Sequence, residues 1–227
     1  MEKESIVMSW SGGKDSAYAL YHIIKESRYR VKYLMTTIYK PNKRVSMHGV
    51  PESLIEKQAK SIGIPLVKLY IEEKTHDEYD IKMKETLLLF KSEGINTIAF
   101  GDIFLEDLKE YREKRLAEID MNALFPLWGK NTKVLANQFI TDGFKTRICS
   151  IDTSKISKYL VGVDFSSTFL KQLNKEIDPC GENGEFHSFC YAGAIFKNIV
   201  KFKQHGTVSK TYTHENNSYE YLFIDIS

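Results

Sequence analysis

Cysteine, proline, long apolar runs and an excess of either charge are all scarce in this 227-residue chain, and each scarcity excludes something. Its three cysteines, Cys149, Cys180 and Cys190, are odd in number and form no C-x-x-C pair, which excludes a secreted disulfide framework. Cys180, His187 and Cys190 lack a fourth partner at zinc-site spacing, so a metal knuckle is not expected. Lys and Arg together number 32 against 30 Asp and Glu, a net +2, too balanced for a nucleic-acid field or an acidic tail. No run approaches the roughly 20 apolar residues of a membrane span. Ile6 to Trp10 is too short for a signal core, and Met1 to Ser5 carries both charge signs, so the expectation is a cytoplasmic protein without a membrane partner. No Pro/Gly/Ser-rich linker, internal repeat or low-complexity tract divides the chain. What is present is 42% hydrophobic and 12% aromatic residues, enough for a packed core and against disorder.

The apolar pattern alternates between strand-like and helix-like. Ser5 to Trp10 reads as a buried strand running into Ser11, Gly12 and Gly13. A helix follows, with Ala17, Leu20, Tyr21, Ile23 and Ile24 at helical spacing behind the N-cap candidates Asp15 and Ser16. Strands are expected at Val31 to Ile38, Ile64 to Ile71 and Thr97 to Gly101, with helices at Glu52 to Ile62, Glu78 to Glu93 and Glu106 to Ile119. This is the signature of a parallel sheet covered on both faces. The rhythm changes near Gly129, giving an expected division into 1–129 and 130–227. In the second part Asn131 to Thr141 and Ser167 to Asn174 read as helices and Lys145 to Ile151 as extended. Ile195 to Lys203, Thr207 to Thr213 and Tyr219 to Ile226, punctuated by His205-Gly206 and Asn216-Asn217, suggest an antiparallel meander.

Ser11-Gly12-Gly13-Lys14-Asp15-Ser16 lies between the first strand and the first helix, where ligands bind in open α/β sheets. Two glycines let backbone N–H groups converge, two hydroxyls add donors, and the helix N-terminus adds partial positive charge, which together make an anion cradle. It is neither a Walker A loop nor a dinucleotide fingerprint. The bland alternative is a turn that merely joins strand to helix. The hexapeptide, however, matches S-G-G-x-D-S, the pyrophosphate loop of the PP-loop ATP pyrophosphatases, a coincidence on the order of once in ten thousand chains this long. That resemblance implies a Rossmann-like, five-stranded parallel sheet of the adenine nucleotide alpha hydrolase type and cleavage of ATP to AMP and pyrophosphate. Asp15 is the loop residue expected to assist Mg²⁺; its plainer role is as the helix N-cap. Gly101-Asp102 ends the fourth expected strand on the same edge, and His48 follows the second strand. Cys180 to His187 is too polar and glycine-rich for core.

These segments, with Met47-His48-Gly49-Val50, Gly101-Asp102-Ile103, Tyr111-Arg112-Glu113, Phe125-Pro126-Leu127-Trp128-Gly129 and Asp178 to His187, resemble the diphthine-ammonia ligase family over nearly the whole chain. Members of that family use ATP and ammonia to amidate a carboxylate, the diphthine of elongation factor 2. The resemblance implies ATP and Mg²⁺ as cofactors and a smaller mixed α+β C-terminal domain for the substrate. It implies a nucleotide side made by Ser11, Gly12, Gly13, Lys14, Asp15, Ser16, Thr36, Thr37 and Gly101. It further implies catalytic roles for Asp15, Asp102 and Glu185, and an acceptor side of His48, Arg112, Glu113, Glu182, Asn183, Glu185 and His187. Archaeal and eukaryotic ligases tend to read Gly-Glu-Gly-Gly-Glu-Phe-Glu where this chain has Asn183 and His187, so it is more similar to the bacterial-type branch. Bacteria do not make diphthamide, so the acceptor is read as diphthine where the organism makes diphthamide and as another carboxylate elsewhere. No glutaminase module is visible, so free ammonia or a separate donor is expected; a homodimer is left open. Two rival readings stand beside this one. The first is a tRNA-modifying enzyme, suggested by Lys197, Lys201, Lys203 and Lys210 in a stretch without acids. The second is an ATP- or AMP-binding sensor without turnover.

Overall fold

The central strand β1 (Glu4–Ser9) has Ile6, Val7 and Met8 fully buried, as a parallel strand covered on both faces requires. Side-chain alternation sends Ile6 and Met8 into one core and Val7 into another. The computed structural model describes residues 3–73, 75–214 and 217–227. After β1 come α1 (Lys14–Glu26), β2 (Tyr29–Tyr39), β3 (Arg44–Val45), α2 (Glu52–Ile62), β4 (Leu66–Ile71) and α3 (His76–Ser92). They are followed by β5 (Thr97–Ala99), α4 (Glu106–Ala117) and β6 (Asn122–Leu124).

Five of these strands are parallel in the spatial order β4-β2-β1-β5-β6, and the two-residue β3 pairs antiparallel with the end of β2. The chain steps outward from β1 to β2 and β4, then returns to β5 on the other side of β1. The carboxyl ends of β1 and β5 therefore diverge, and a crevice opens at this topological switch point.

The remainder comprises α5 (Thr132–Thr141), β7 (Lys145–Asp152), α6 (Ser167–Gln172), β8 (Phe186–Ala192), β9 (Gln204–His214) and β10 (Asn217–Ile226). Its four strands form an antiparallel sheet in the order β8-β7-β10-β9. The two sheets share one hydrophobic core, in which Ile6, Leu20 and Leu54 join Phe139, Ile148, Phe189 and Ile224. Tyr18 of α1 makes edge contacts with Phe139 and Phe144 at ring-centroid separations of 5.5 and 5.6 Å. On the other face, α3 and α4 cover a second core with Leu87, Phe90, Leu116 and Ile119. Among the described residues no helix is long and apolar enough to cross a membrane.

Four expectations need correction. β6 is the fifth parallel strand, three residues long and only partly buried, too short to carry a pattern. Ile195 to Lys203 is not a strand; β8 takes its place in the sheet, entered directly from the polar 178–185 segment. His205-Gly206 lies inside β9 rather than in a turn, and Asn216 is outside the described residues. The N-cap of α1 is Gly13, not Asp15 or Ser16: Gly12 at φ +78 completes the turn early, so Gly13 is the last extended residue. Asp15 then sits in the first turn, where a carboxylate complements the helix dipole.

Candidate active site

A cavity of about 740 Å³ fills the crevice at the carboxyl ends of β1 and β5. One wall is the 11–16 loop, a second is Gly101-Asp102 with α4, and a third is the 181–188 segment of the other sheet. Lys210, Tyr212 and Phe223 of the β9–β10 hairpin and His48 of the loop after β3 close it.

The first wall is shaped by what its glycines lack. A Cβ on Gly12 would stand 2.5 Å from Ile55 and 2.7 Å from Gln58; one on Gly13 would stand 2.7 Å from His48 and 3.1 Å from the Ser188 carbonyl. The Gly13 N–H donates to Ser11 Oγ at 3.2 Å and the Lys14 N–H to Ser188 Oγ at 3.1 Å. Both acceptors are hydroxyls that can rotate aside for an anion. The first helical bond runs from the Ala17 N–H to the Gly13 carbonyl, so the N–H groups of Asp15 and Ser16 precede the ladder and face outward at the helix N-terminus.

Lys14 lines the cavity too, but its ammonium is already engaged. Its side chain is buried, and its ammonium donates to both Asp15 oxygens at 2.7 Å and to the Cys180 carbonyl. It also lies over the Phe165 and Phe186 rings. Burial opposes its charge, but the partner Asp15 and the nearby Cys180 and Glu182 outweigh that, and its pKa rises. Lys14 thus ties the loop to the second sheet.

The second wall is held just as closely. Gly101 has no room for a Cβ, which would stand 2.9 Å from the Asp15 carbonyl carbon and the Ser16 nitrogen. Asp102 accepts from Arg112 Nε at 2.7 Å and Nη2 at 3.3 Å, a forked pair, while the guanidinium covers the Phe100 ring at 4.3 Å. Arg112 is therefore engaged in aiming Asp102. Its neighbour Glu113 is exposed on the outer side of α4, 3.8 Å from Lys109, and does not line the cavity.

Strand parity sorts the remaining residues. Thr37 faces the cavity together with Met35 and Tyr39, whereas Thr36 is buried on the opposite face of β2. In the third wall Glu182 reaches across to the β5 loop and accepts from the Ile103 N–H at 2.6 Å and the Phe104 N–H at 3.4 Å. Burial, reinforced by the charge of Asp15, pushes its carboxyl up to about 7. Glu185 is 2% exposed and sits behind the wall, accepting from the Asp178 N–H at 3.2 Å and from Asn183 Nδ2 at 3.1 Å. Neither Glu185 nor the exposed Asn183 lines the cavity. His187 does, with its ring 4.6 Å from that of His48. His48 Nδ1 donates to the Ser188 carbonyl at 3.1 Å. Burial, aided by nearby Lys14, lowers His48 to about 4; burial, His48 and Lys14 hold His187 well below its usual range, so both rings are neutral at pH 7.

Sequence reasoning missed Gln58, Ser188 and Tyr212. Gln58 is fully buried among Leu54, Ile55, Ala59 and Ile62, and a lone polar residue on an otherwise apolar helix face is the signal that would have found it. Ser188 and Tyr212 gave no such signal, because their position depends on the pairing of distant strands. Of the lysines that suggested an RNA face, Lys210 lines the cavity and Lys197 packs against Gly63 at the end of α2. Among the described residues no group of three or more His, Cys, Asp or Glu side chains is arranged to hold a metal ion.

Comparison with known families agrees with this two-sheet construction. Residues 3–123 match the family model of the diphthamide synthase N-terminal domain, and residues 131–222 that of the diphthamide synthase C-terminal domain. No match was found among curated proteins. With its pyrophosphate-type loop at the switch point and both domain models matched over nearly its whole length, the chain belongs to the diphthamide synthase family, a PP-loop family that uses ATP.

Proposed function

We propose that the protein is an ATP-dependent carboxylate–ammonia ligase with free ammonia as nitrogen donor. Its acceptor is the diphthine of elongation factor 2 where the organism makes diphthamide, and another carboxylate elsewhere. The observation that carries this reading is the single cavity shared by the 11–16 loop and the Gly181–Ser188 wall, because the reaction must bring triphosphate and acceptor together.

In this reading the N–H groups of Gly13, Asp15 and Ser16 and the hydroxyls of Ser11 and Ser16 hold the β- and γ-phosphates, with Thr37 and Gly101 on the nucleotide side. A carboxylate oxygen of the acceptor attacks the α-phosphorus, the bond to the β-bridging oxygen breaks, and pyrophosphate leaves into the loop. Ammonia then attacks the acyl carbon of the mixed anhydride, the C–O bond to AMP breaks, and the new ammonium loses a proton to become the amide.

Glu182, with a carboxyl near 7, is the group suited to take that proton. Glu185 orders the turn that presents it. Asp102, aimed by Arg112, lies on the same edge, and the neutral imidazoles of His48 and His187 offer the acceptor hydrogen bonds without charge. The site suits Mg²⁺ by its charge balance: Lys14 is paired with Asp15 and Arg112 with Asp102, so neither cation is left to neutralise a triphosphate, and Glu182 adds a further carboxyl to the same edge. Asp15, by sharing its carboxylate with Lys14, would hold such an ion together with the nucleotide's phosphates, and the charge it would supply there is neutralisation of the departing pyrophosphate.

The test is to incubate the protein with ATP, Mg²⁺, ammonium and diphthine-bearing elongation factor 2. AMP, pyrophosphate and amide in equal amounts are expected. ADP and orthophosphate as the only products would contradict the proposal, and so would pyrophosphate release that needs tRNA.

A further inference from the structure

The two glycines that open the phosphate cradle also leave it floppy. A Gly-Gly peptide has no Cβ on either side to hold its plane, so the Gly12–Gly13 unit is free to rotate unless something outside the loop fixes it. The structure contains such a clamp. The Gly12 carbonyl accepts from the Cys190 N–H of β8 at 2.8 Å and from Gln58 Nε2 at 2.9 Å. Gln58 Nε2 also donates to the Cys190 carbonyl at 2.5 Å, and Gln58 Oε1 accepts from Trp10 Nε1 at 2.9 Å. One fully buried side chain thus uses both its donor hydrogens and its acceptor to join the end of β1, the glycine loop and the strand that carries His187 and Ser188.

The planarity of the peptide turns this clamp into an aim. In a trans peptide the C=O and N–H point in opposite directions, so fixing the Gly12 carbonyl toward Gln58 and Cys190 fixes the Gly13 N–H away from them, where it meets the Oγ of Ser11, a cavity-lining residue. A flipped peptide would present a carbonyl oxygen to an incoming phosphate, exchanging attraction for repulsion. We infer that Gln58 is a positioning residue of the nucleotide site, acting through the Gly12–Gly13 peptide and locking the phosphate loop to the acceptor-side strand.

This inference rests on the reading that the 11–16 loop receives the phosphates of ATP, and the experiment keeps the two apart. ATP affinity is measured by calorimetry for the unaltered protein, for Gln58→Leu and for Leu54→Ala, at a temperature where circular dichroism shows all three folded. Leu54 is a fully buried core residue of the same helix, so its truncation destabilises α2 while removing no side-chain hydrogen bond to the loop. The expected result is that Gln58→Leu weakens ATP binding at least about tenfold, the loss of aligned charge-facing donors, while Leu54→Ala stays within about threefold. In turnover assays, KM for ATP should rise in Gln58→Leu and KM for ammonium should not.

Gln58→Glu carries the same expectation if Gln58→Leu does not fold. It keeps the bond from Trp10 and turns an oxygen toward the two carbonyls in place of the amide donor. Normal ATP affinity in the folded Gln58 variant would overturn the inference, as would equal losses in Gln58→Leu and Leu54→Ala. Absence of ATP binding by the unaltered protein would instead overturn the reading of the loop itself.

Discussion

The two walls of the cleft are built on different principles. The 11–16 wall works through backbone: its donors are N–H groups, and its specificity lies in glycines that no side chain can replace. The 181–188 wall works through side chains whose direction is set by strand parity and by one turn, so Glu182 lines the cavity and reaches the loop after β5 while Glu185, three residues on, is buried behind it. A backbone site is destroyed by adding an atom, whereas a side-chain site is altered by exchanging one.

The largest effect should come from breaking the backbone wall. Gly13→Val places branched carbon where a Cβ alone would meet His48 at 2.7 Å and the Ser188 carbonyl at 3.1 Å, so ATP binding measured by calorimetry should fall by more than about 100-fold. Retained affinity would show that the phosphates bind elsewhere.

In the side-chain wall the paired variants Glu182→Gln and Glu185→Gln sharpen the comparison. Glu182→Gln should lower kcat for amide formation about 100-fold with ATP affinity nearly unchanged, because a proton acceptor is lost and a hydrogen-bond acceptor kept. Glu185→Gln keeps an oxygen for the Asp178 N–H, and its activity should stay within about threefold, with any loss appearing as lowered thermal stability. The reverse ranking would put the catalytic carboxylate behind the wall.

Arg112→Lys tests how far Asp102 depends on its fork. A point charge cannot reproduce the two contacts at 2.7 and 3.3 Å, and kcat should fall about tenfold. An unchanged rate would mean that the aim of Asp102 is immaterial.

Acid should act on the His48–His187 corner. His48 has its folded value lowered to about 4 from an ordinary 6.5, so the unfolded chain binds the extra proton first. The contribution of the neutral ring is fully present above about pH 6.5 and is lost as pH falls toward 4, a destabilisation on the order of 2 kcal/mol after allowance for partial exposure. A flatter profile of unfolding free energy for His48→Gln over pH 4 to 6.5 would bear this out; superimposable profiles would refute it. The smallest effect is expected from Thr37→Val, a few-fold rise in KM for ATP of about threefold, against none for Thr36→Val on the far face of β2.

The same contrast explains what was legible in the sequence. The place of the loop could be read because it is local: six consecutive residues contain the glycines, hydroxyls and helix start that the structure sets at the edge of the cleft. The parallel strands β1, β2 and β4 and their helices were equally readable from short-range periodicity. The other wall could be recognised as functional from its composition, but not resolved residue by residue. Whether Thr36 or Thr37, or Glu182 or Glu185, faces the ligand turns on strand phase and on one glycine turn, which composition does not encode. The motif places Lys14 on the nucleotide side, and it does line the cavity, but its buried bond to the Cys180 carbonyl could not be read because it depends on a chain segment 166 residues away. β8 was hidden for a related reason, since its entry is polar enough to read as loop until the antiparallel sheet supplies its partners.

The central claim is that one cleft joins the acceptor carboxylate to the α-phosphate of ATP before ammonia arrives. Acceptor labelled with oxygen-18 in its carboxylate tests this directly, with mass spectrometry of the products after turnover. The account predicts one labelled oxygen in the phosphate of AMP for every amide formed. Label in orthophosphate, or AMP without label, would contradict it.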